Sequence, residues 1–298
     1  MQRSFSLADY FQSPSLGNFP IFPQSRCPQD NLINCKFSSS DRAVNWVKNS
    51  PKARPGSFNI SLENSIGAAM TVSNHTALYK FTFPANSTPL SPLILVDLTD
   101  LPKSRSNGAA SVDPSTGRLT GNGTFNPSFG IGNYNLHFCV DFKGAEVRDT
   151  GVFTDGSVDT NSTTVSAPSD SSVSVGAFAR FHAPADNTIT ARVGVSFISA
   201  EKACDNAEKE IPDFDFISTV TNAEEAWKAK LDVIDVNADG VSTDLQKTFW
   251  SGVYRTMISP QDYTGENPLW SSDEPYYDSY YWLVLLILIA AADSRLTL

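Results

Sequence analysis

Clustered positive charge is what this chain most lacks. Its 22 Lys and Arg face 32 Asp and Glu, giving a net charge of −10, and no basic run occurs anywhere. Neutralising a phosphate backbone takes clustered Lys and Arg, so a nucleic-acid partner is excluded. Histidine is scarce too. His75, His137 and His182 lie far apart in sequence and none belongs to an H-E-x-x-H or Cys/His arrangement, which leaves a zinc site without support. His137 alternates with apolar Leu136 and Phe138 and reads as a sheet-surface residue. Long apolar runs are missing: Trp282 to Ala292 has 11 residues, against the roughly 20 that a membrane-crossing helix needs. No membrane anchor is expected. There is no G-x-S-x-G, P-loop or Rossmann fingerprint, no βαβ rhythm and no internal repeat.

The first twelve residues, MQRSFSLADYFQ, contain no apolar core, because Asp9 and Gln12 interrupt it. They do not read as a signal peptide. Other features point outside the cell. Five N-x-S/T sequons occur, at Asn59, Asn74, Asn86, Asn122 and Asn161, none with Pro in the middle, and glycosylation marks surface loops of secreted proteins. Four cysteines, an even number, agree with an oxidising compartment. Cys27 and Cys35 flank a short polar loop, PQDNLIN, that a local disulfide would close, with Cys139 and Cys204 as the second pair. Four buried free thiols are the alternative. Sequons and paired cysteines without a leader imply a chain that lacks its true start.

What is abundant is strand signal. Ala177, Ala179 and Phe181 alternate with Phe178 and Arg180; Ile189, Ala191, Val193, Val195 and Phe197 form a second period-2 ladder; Leu136, Phe138, Val140 and Phe142 form a third. Turn punctuation is dense, as at Asp113-Pro114, Gly121-Asn122-Gly123 and Asp155-Gly156. Alternation with frequent turns predicts an antiparallel β-sandwich over about Phe58 to Ser199. Ser157 to Ser174, rich in Ser, Thr and Asp, reads as a long exposed loop. Near Pro212 the pattern changes. Asn222-Ala-Glu-Glu225 resembles a capping box for a helix to about Val233. A second helix begins near Ser242, with Leu245, Phe249, Val253 and Met257 recurring every fourth residue, and Ser259-Pro260 ends it.

Between these helices, Asp235-x-Asn237-x-Asp239-Gly240 matches the first half of an EF-hand calcium loop. Gln246 stands at its twelfth position, where a bidentate Glu belongs, and Ser242 replaces the apolar eighth residue. A polar turn between two helices is the plainer reading of Asp235, Asn237 and Asp239.

The most informative segment is Phe249 to Tyr281, with nine aromatic residues and five carboxylates. Aromatic faces beside carboxylates suit sugars, because C–H faces of the ring stack on them and carboxylates accept hydrogen bonds from hydroxyls. Asp273, Glu274 and Asp278 form a possible acid/base cluster. Asp273-Glu274-Pro275 is equally a helix-start signature, and that reading is preferred. Tyr276, Tyr277, Tyr280, Tyr281 and Trp282 fit either a sugar cleft or a core.

The run YRTMISPQDYTGENPLW, followed by DEPYYDSYY, closely resembles the opening of the catalytic domain of glycoside hydrolase family 92, in its fungal branch. The likeness extends upstream through SPSLGNFPIFPQSRCP (Ser13 to Pro28), DRAVNW (Asp41 to Trp46) and MTVSNHTALYKFTFP (Met70 to Pro84). It implies a mainly β chain, with an N-terminal β-sandwich domain over 1–212, a helical linker over 213–241, and the first helix of a truncated (α/α) barrel over 242–298. A divergent tail begins at about 282. It further implies a secreted, inverting, calcium-dependent exo-α-1,2-mannosidase acting on mannose-containing glycans or glycoproteins. Substrate contacts would come from Tyr263, Glu266, Trp270, Asp278 and Tyr281. Two departures qualify this. The glycine-rich segment that opens family members does not precede Ser13, and WLVLLILIAAADSRLTL stands where the family continues with Trp-Asp-x-Phe-Arg and the rest of the barrel. The family's catalytic Glu and Asp and its calcium ligands lie beyond this point, so the chain alone is expected to be inactive and to bind no calcium tightly. A non-catalytic carbohydrate-binding sandwich and a non-functional gene-model fragment remain as alternatives.

Overall fold

Two stacked antiparallel sheets form the body of the protein, in a computed structural model that describes residues 18–85, 90–98, 105–125, 133–168, 172–257 and 265–267. The chain enters through β1 (Ile21–Gln24), passes a disulfide-closed loop and the single helical turn α1 (Ser39–Arg42), then lays down β2 (Lys52–Arg54), β3 (Ser57–Ser61), β4 (Gly67–Val72) and β5 (Thr76–Thr82). There follow β6 (Leu93–Asp97), β7 (Arg105–Val112), β8 (Leu119–Phe125), β9 (Tyr134–Lys143) and β10 (Val147–Thr154). The last strands are β11 (Ser157–Asp159), β12 (Thr164–Ser166), β13 (Val175–Phe181) and β14 (Thr188–Ser196). One sheet has the order β1-β6-β13-β10-β11, the other β12-β7-β8-β9-β14-β5-β4-β3-β2.

The inner faces meet in one core. Ile94, Val96, Ala177, Ala179 and Phe181 from the smaller sheet pack against Phe81, Leu119, Phe138, Val140, Ile189 and Ala191 from the larger. Full burial of each large apolar side chain contributes about 1.5–3 kcal/mol. The mainly β sandwich expected from the alternation is therefore present, and it starts earlier than Phe58, because β1 pairs with β6 in register Ile21↔Val96. The smaller sheet is buried on both sides. Phe22, Leu93, Leu95, Phe153 and Phe178 on its outer face are covered by Phe37 and the Cys27–Cys35 bridge.

Three local expectations are corrected. Ser157 to Ser174 is not one long loop: it contributes the edge strands β11 and β12. The first long helix after the strands, α2 (Ala200–Glu210), lies where no helix was expected, capped by Ser199 accepting from the Lys202 N–H. The next, α3 (Phe216–Leu231), starts before Asn222, because Asp215 accepts from the N–H groups of Ile217 and Ser218. The last helix, α4 (Thr243–Thr256), begins at the expected Ser242 cap. Both α2 and α3 lie on the outer face of the larger sheet. Gly56 permits the approach of α3: it has φ +82°, and a Cβ there would come within 2.8 Å of Ala223 Cβ.

Candidate functional site

Alternation places a row of polar side chains on the outer face of β9 and β14, and α2 is fastened to that row. Asp141 accepts from Arg192 Nη2 at 2.6 Å and from Arg118 Nε at 2.6 Å, while Arg118 Nη2 reaches Glu208 on α2 at 2.5 Å. Arg192 Nη1 donates to the Ile211 carbonyl at 2.8 Å, and its guanidinium stacks 4.4 Å from the Phe214 ring. Charge-assisted and bidentate bonds of this kind fix geometry as well as energy. The Cys139–Cys204 bridge adds a covalent tie from β9 to α2. Helix α2 is thus held rigidly over β14.

At the far end of β14 this arrangement builds a seat for one carboxylate from a distant part of the chain. Glu266 is 2% exposed. Its Oε2 accepts from Ser196 Oγ at 2.6 Å and from the Phe197 N–H at 2.8 Å, and its Oε1 accepts from Asn206 Nδ2 at 2.8 Å. Asn206 is itself aimed by a second bond, to the Val195 carbonyl at 3.1 Å. Asn267, beside Glu266, is also buried. Residues 265–267 are therefore anchored to the sandwich through a fully enclosed, triply bonded carboxylate.

Around this seat polar and aromatic groups mix. His137, outward on β9, is half-buried; burial pushes its pKa below 6.5, with the Glu266 charge acting in the opposite sense. Tyr134 lies edge-on to Phe197 at 6.3 Å and accepts at its hydroxyl from Asn18 Nδ2 at 2.8 Å. Burial raises the Tyr134 pKa against that hydrogen bond, so the phenol stays protonated. Neutral aromatic faces with fixed amide and hydroxyl groups can orient a polar ligand.

A second cluster joins the other end of α2 to the β4–β5 turn. The Glu210 carboxylate receives the Ser73 hydroxyl, the His75 N–H at 2.9 Å and His75 Nδ1 at 2.7 Å. Burial works to raise its pKa, but the bonds from His75 and Ser73 outweigh it and hold it at about 2. Ser, His and an acid are together here without forming a nucleophilic triad. Serine donates to the carboxylate instead of to the imidazole, and a carboxylate of so low a pKa is a feeble base. Ser73 and His75 border a largely apolar cavity of about 370 Å³ between β1 and the β3–β5 strands, lined by Ile60, Met70 and Tyr79 among others.

Of the residues expected to contact substrate, Glu266 is the one described, and it faces the sandwich; Tyr263, Trp270, Asp278 and Tyr281 lie outside the described residues, as do Asp273, Glu274 and the tail from Trp282. The Asp235, Asn237 and Asp239 loop is exposed, and the Asn237 side chain is turned to its own backbone, accepting from the Asp239 N–H at 2.9 Å. Among the described residues no group of three or more His, Cys, Asp or Glu is placed to share a metal ion. Asn59, Asn74, Asn122 and Asn161 are all exposed, and Asn86 lies outside the described residues. Both expected bridges, Cys27–Cys35 and Cys139–Cys204, are formed. Sequence reasoning missed Ser196, Asn206 and Glu210. The last two sit on α2, whose signal was Ala203, Ala207 and Ile211 at four-residue spacing after Ser199.

The chain matches known proteins along most of its length. The family model described as the glycosyl hydrolase family 92 N-terminal domain matches residues 10–196, and that of the glycosyl hydrolase family 92 catalytic domain matches residues 202–284. A protein of Arthroderma benhamiae described as an uncharacterized secreted glycosidase is 50% identical over 281 residues, covering 91% of this chain and 36% of its own length. The chain thus spans about a third of that relative. A family GH92 inverting mannosidase of Bacteroides thetaiotaomicron superposes with TM-score 0.71 at 23% identity, over 88% of this chain and 32% of that one. A family GH92 α-mannosidase of the same organism gives 0.68 at 16% identity, over 83% and 33%. At such identities the two structures show a shared fold.

Proposed function

Because this chain belongs to glycosyl hydrolase family 92, we propose that it is the N-terminal part of a secreted exo-α-1,2-mannosidase that releases mannose from glycans with inversion and with the help of calcium. The observation that carries this reading is the Glu266 seat. A carboxylate from the aromatic-rich part of the sequence is locked onto the sandwich by Ser196, Phe197 and Asn206, which supports the reading that the sandwich contributes to a sugar site. Glu266 acts there as a positioning residue, since its oxygens are taken up by protein donors. Tyr263, Trp270, Asp278 and Tyr281, from the segment it anchors, are proposed to meet the sugar by stacking and hydrogen bonding. Secretion agrees with two disulfides, with four exposed sequon asparagines, and with a relative described as secreted. Among the described residues no helix is long and apolar enough to cross a membrane.

Inverting hydrolysis needs an acid and a base about 6.5–9.5 Å apart across the scissile bond. Family resemblance assigns both to the two thirds of the relatives' length that this chain does not span. Incubating the purified chain with an α-1,2-mannobiose and calcium tests the division of labour. Sugar-dependent shifts at the tyrosine and tryptophan resonances without mannose release are expected. Release abolished by chelation and by Asp278→Ala would show a complete site within these residues and overturn the assignment.

A further inference from the structure

On the opposite side of the sandwich, a polar hollow of about 440 Å³ opens between the Cys27–Cys35 loop and the β11–β12 turn. Asp30, Asn31 and Ile33 form one wall, Asp159 and Asn161 the other, and Arg180 the floor. Both walls are fixed. Asp30, held at φ +54°, binds Arg148 through both carboxylate oxygens at 2.9 and 2.7 Å, and its carbonyl accepts from Arg180 Nη1 at 3.2 Å. Across the gap, Asp159 accepts from the Asn161 N–H at 2.8 Å and from the Ser162 hydroxyl at 2.6 Å. These bonds tie down the backbone of the turn. The Asn161 side chain stays exposed and makes no hydrogen bond to another described residue.

Asn161-Ser162-Thr163 is a sequon, and its position differs from those of the other described ones. Asn59 and Asn122 stand mid-strand on β3 and β8. Asn74 borders the apolar cavity, where sugar hydroxyls would find few partners. Asn161 borders a hollow whose lining matches an amino sugar: the Asp30 and Asp159 carboxylates and the Asn31 amide can accept from hydroxyl and acetamido N–H donors, while the Arg180 guanidinium beneath them is taken up by Asp149 and Asp30 and fixes the floor. Ile33, 76% exposed at its edge, offers an apolar surface to the C–H face of a ring.

We propose that Asn161 carries an N-linked glycan whose first N-acetylglucosamine units fold back into this hollow, bridging the β11–β12 turn to the disulfide loop. The covalent link makes seating intramolecular, so a few weak contacts suffice. The inference rests on the reading that the protein passes through the secretory pathway.

Glycopeptide mapping of the full chain, secreted by yeast behind a cleavable leader, tests it. Native protein is treated with an endoglycosidase that cuts between the two core N-acetylglucosamines, and each site is followed over time. The Asn161 glycan should be trimmed about tenfold more slowly than any other, the factor that one or two net hydrogen bonds supply, and the difference should vanish after denaturation. An Ile33→Ala, Asn31→Ala double variant, changed at exposed positions, should lose the protection while keeping the glycan. Asn161 left bare while other sequons are occupied, or trimmed natively as fast as they are, overturns the inference alone. Absence of glycan at every sequon overturns both the inference and the secretory reading beneath it.

Discussion

Glu210 grips His75 at two points, accepting its backbone N–H at 2.9 Å and meeting Nδ1 at 2.7 Å, and so closes the β4–β5 turn onto the end of α2. The pKa of Glu210 falls from 4.5 to about 2 because the bonds from His75 and Ser73 overcome the opposing effect of burial. A depressed carboxylate stabilises the fold above its unfolded value, and the contribution is lost as pH falls through the folded value. Glu210→Gln should therefore cost on the order of 2–3 kcal/mol at neutral pH. Its deficit should shrink progressively below pH 4.5 and close near pH 2. Urea midpoints of both proteins across that range check this; a deficit independent of pH would mean that packing, not charge, holds the turn.

The Asp141 carboxylate serves two guanidiniums, so its two halves are not equivalent. Arg192→Met leaves Asp141 paired with Arg118 and removes one buried partner. Asp141→Ala strands both Arg192 and Arg118 Nε on the sheet face. Removing one partner of a buried pair costs about 3–5 kcal/mol, and Asp141→Ala should approach this, with Arg192→Met milder. Calorimetric midpoints that fall in the reverse order would show that Arg192 matters mainly through Phe214 and the Ile211 carbonyl.

Both disulfides bind elements that packing already brings together, with Cα–Cα distances of 4.6 and 5.0 Å, but they span very different lengths of chain. Cys27–Cys35 are separated by 8 positions and Cys139–Cys204 by 65. Chain-entropy arguments give about 2–3 kcal/mol for the short loop and about 4 kcal/mol for the long one. Replacing Cys139 and Cys204 together by Ser should thus lower the denaturant midpoint more than replacing Cys27 and Cys35. Equal losses would point to native-state contacts of the short bridge, which seals the cluster around Phe37 and Phe178, as the larger contribution.

The sandwich was legible because β9 and β14 truly have one buried and one more polar face: Phe138, Val140, Ile189 and Ala191 point into the core, Asp141 and Arg192 away from it. β13 also looked alternating, yet all seven of its residues are buried, since Phe178 and Arg180 lie beneath the disulfide loop. Local pattern could not reveal that second cover. Helix α2 escaped because its buried stripe is made of Ala and Asn, which carry little hydrophobic signal. Asp215 lost the α3 start to Asn222 because a capping box is a local motif, while Thr219 and Ala223 are buried by the sheet below. For the site, Glu266 could be picked out by composition, but its partners could not. Ser196 and Asn206 lie 70 and 60 positions away, and nothing in their own neighbourhoods marks them as donors to a carboxylate.

The Glu266 seat makes a prediction that does not depend on catalysis. Two influences act on His137: burial depresses its pKa, and the Glu266 carboxylate, as the nearby opposite charge, offsets part of that. Glu266→Gln removes the charge and keeps a carbonyl that can still accept from one or two of Ser196, Phe197 and Asn206. The His137 pKa should therefore fall further below 6.5, which an NMR titration of its ring protons reads directly. Hydrogen exchange at the Phe197 amide supplies the structural half of the test, because that N–H is protected by the same carboxylate at 2.8 Å. In Glu266→Gln protection should weaken only modestly; in Glu266→Ala, where no acceptor remains, the amide should exchange far faster. If the segment is truly anchored here, the two readouts move together in the alanine variant and separate in the glutamine one. A His137 pKa unchanged or raised in Glu266→Gln would show that this carboxylate does not reach the β9 surface and that the segment it belongs to is fastened elsewhere.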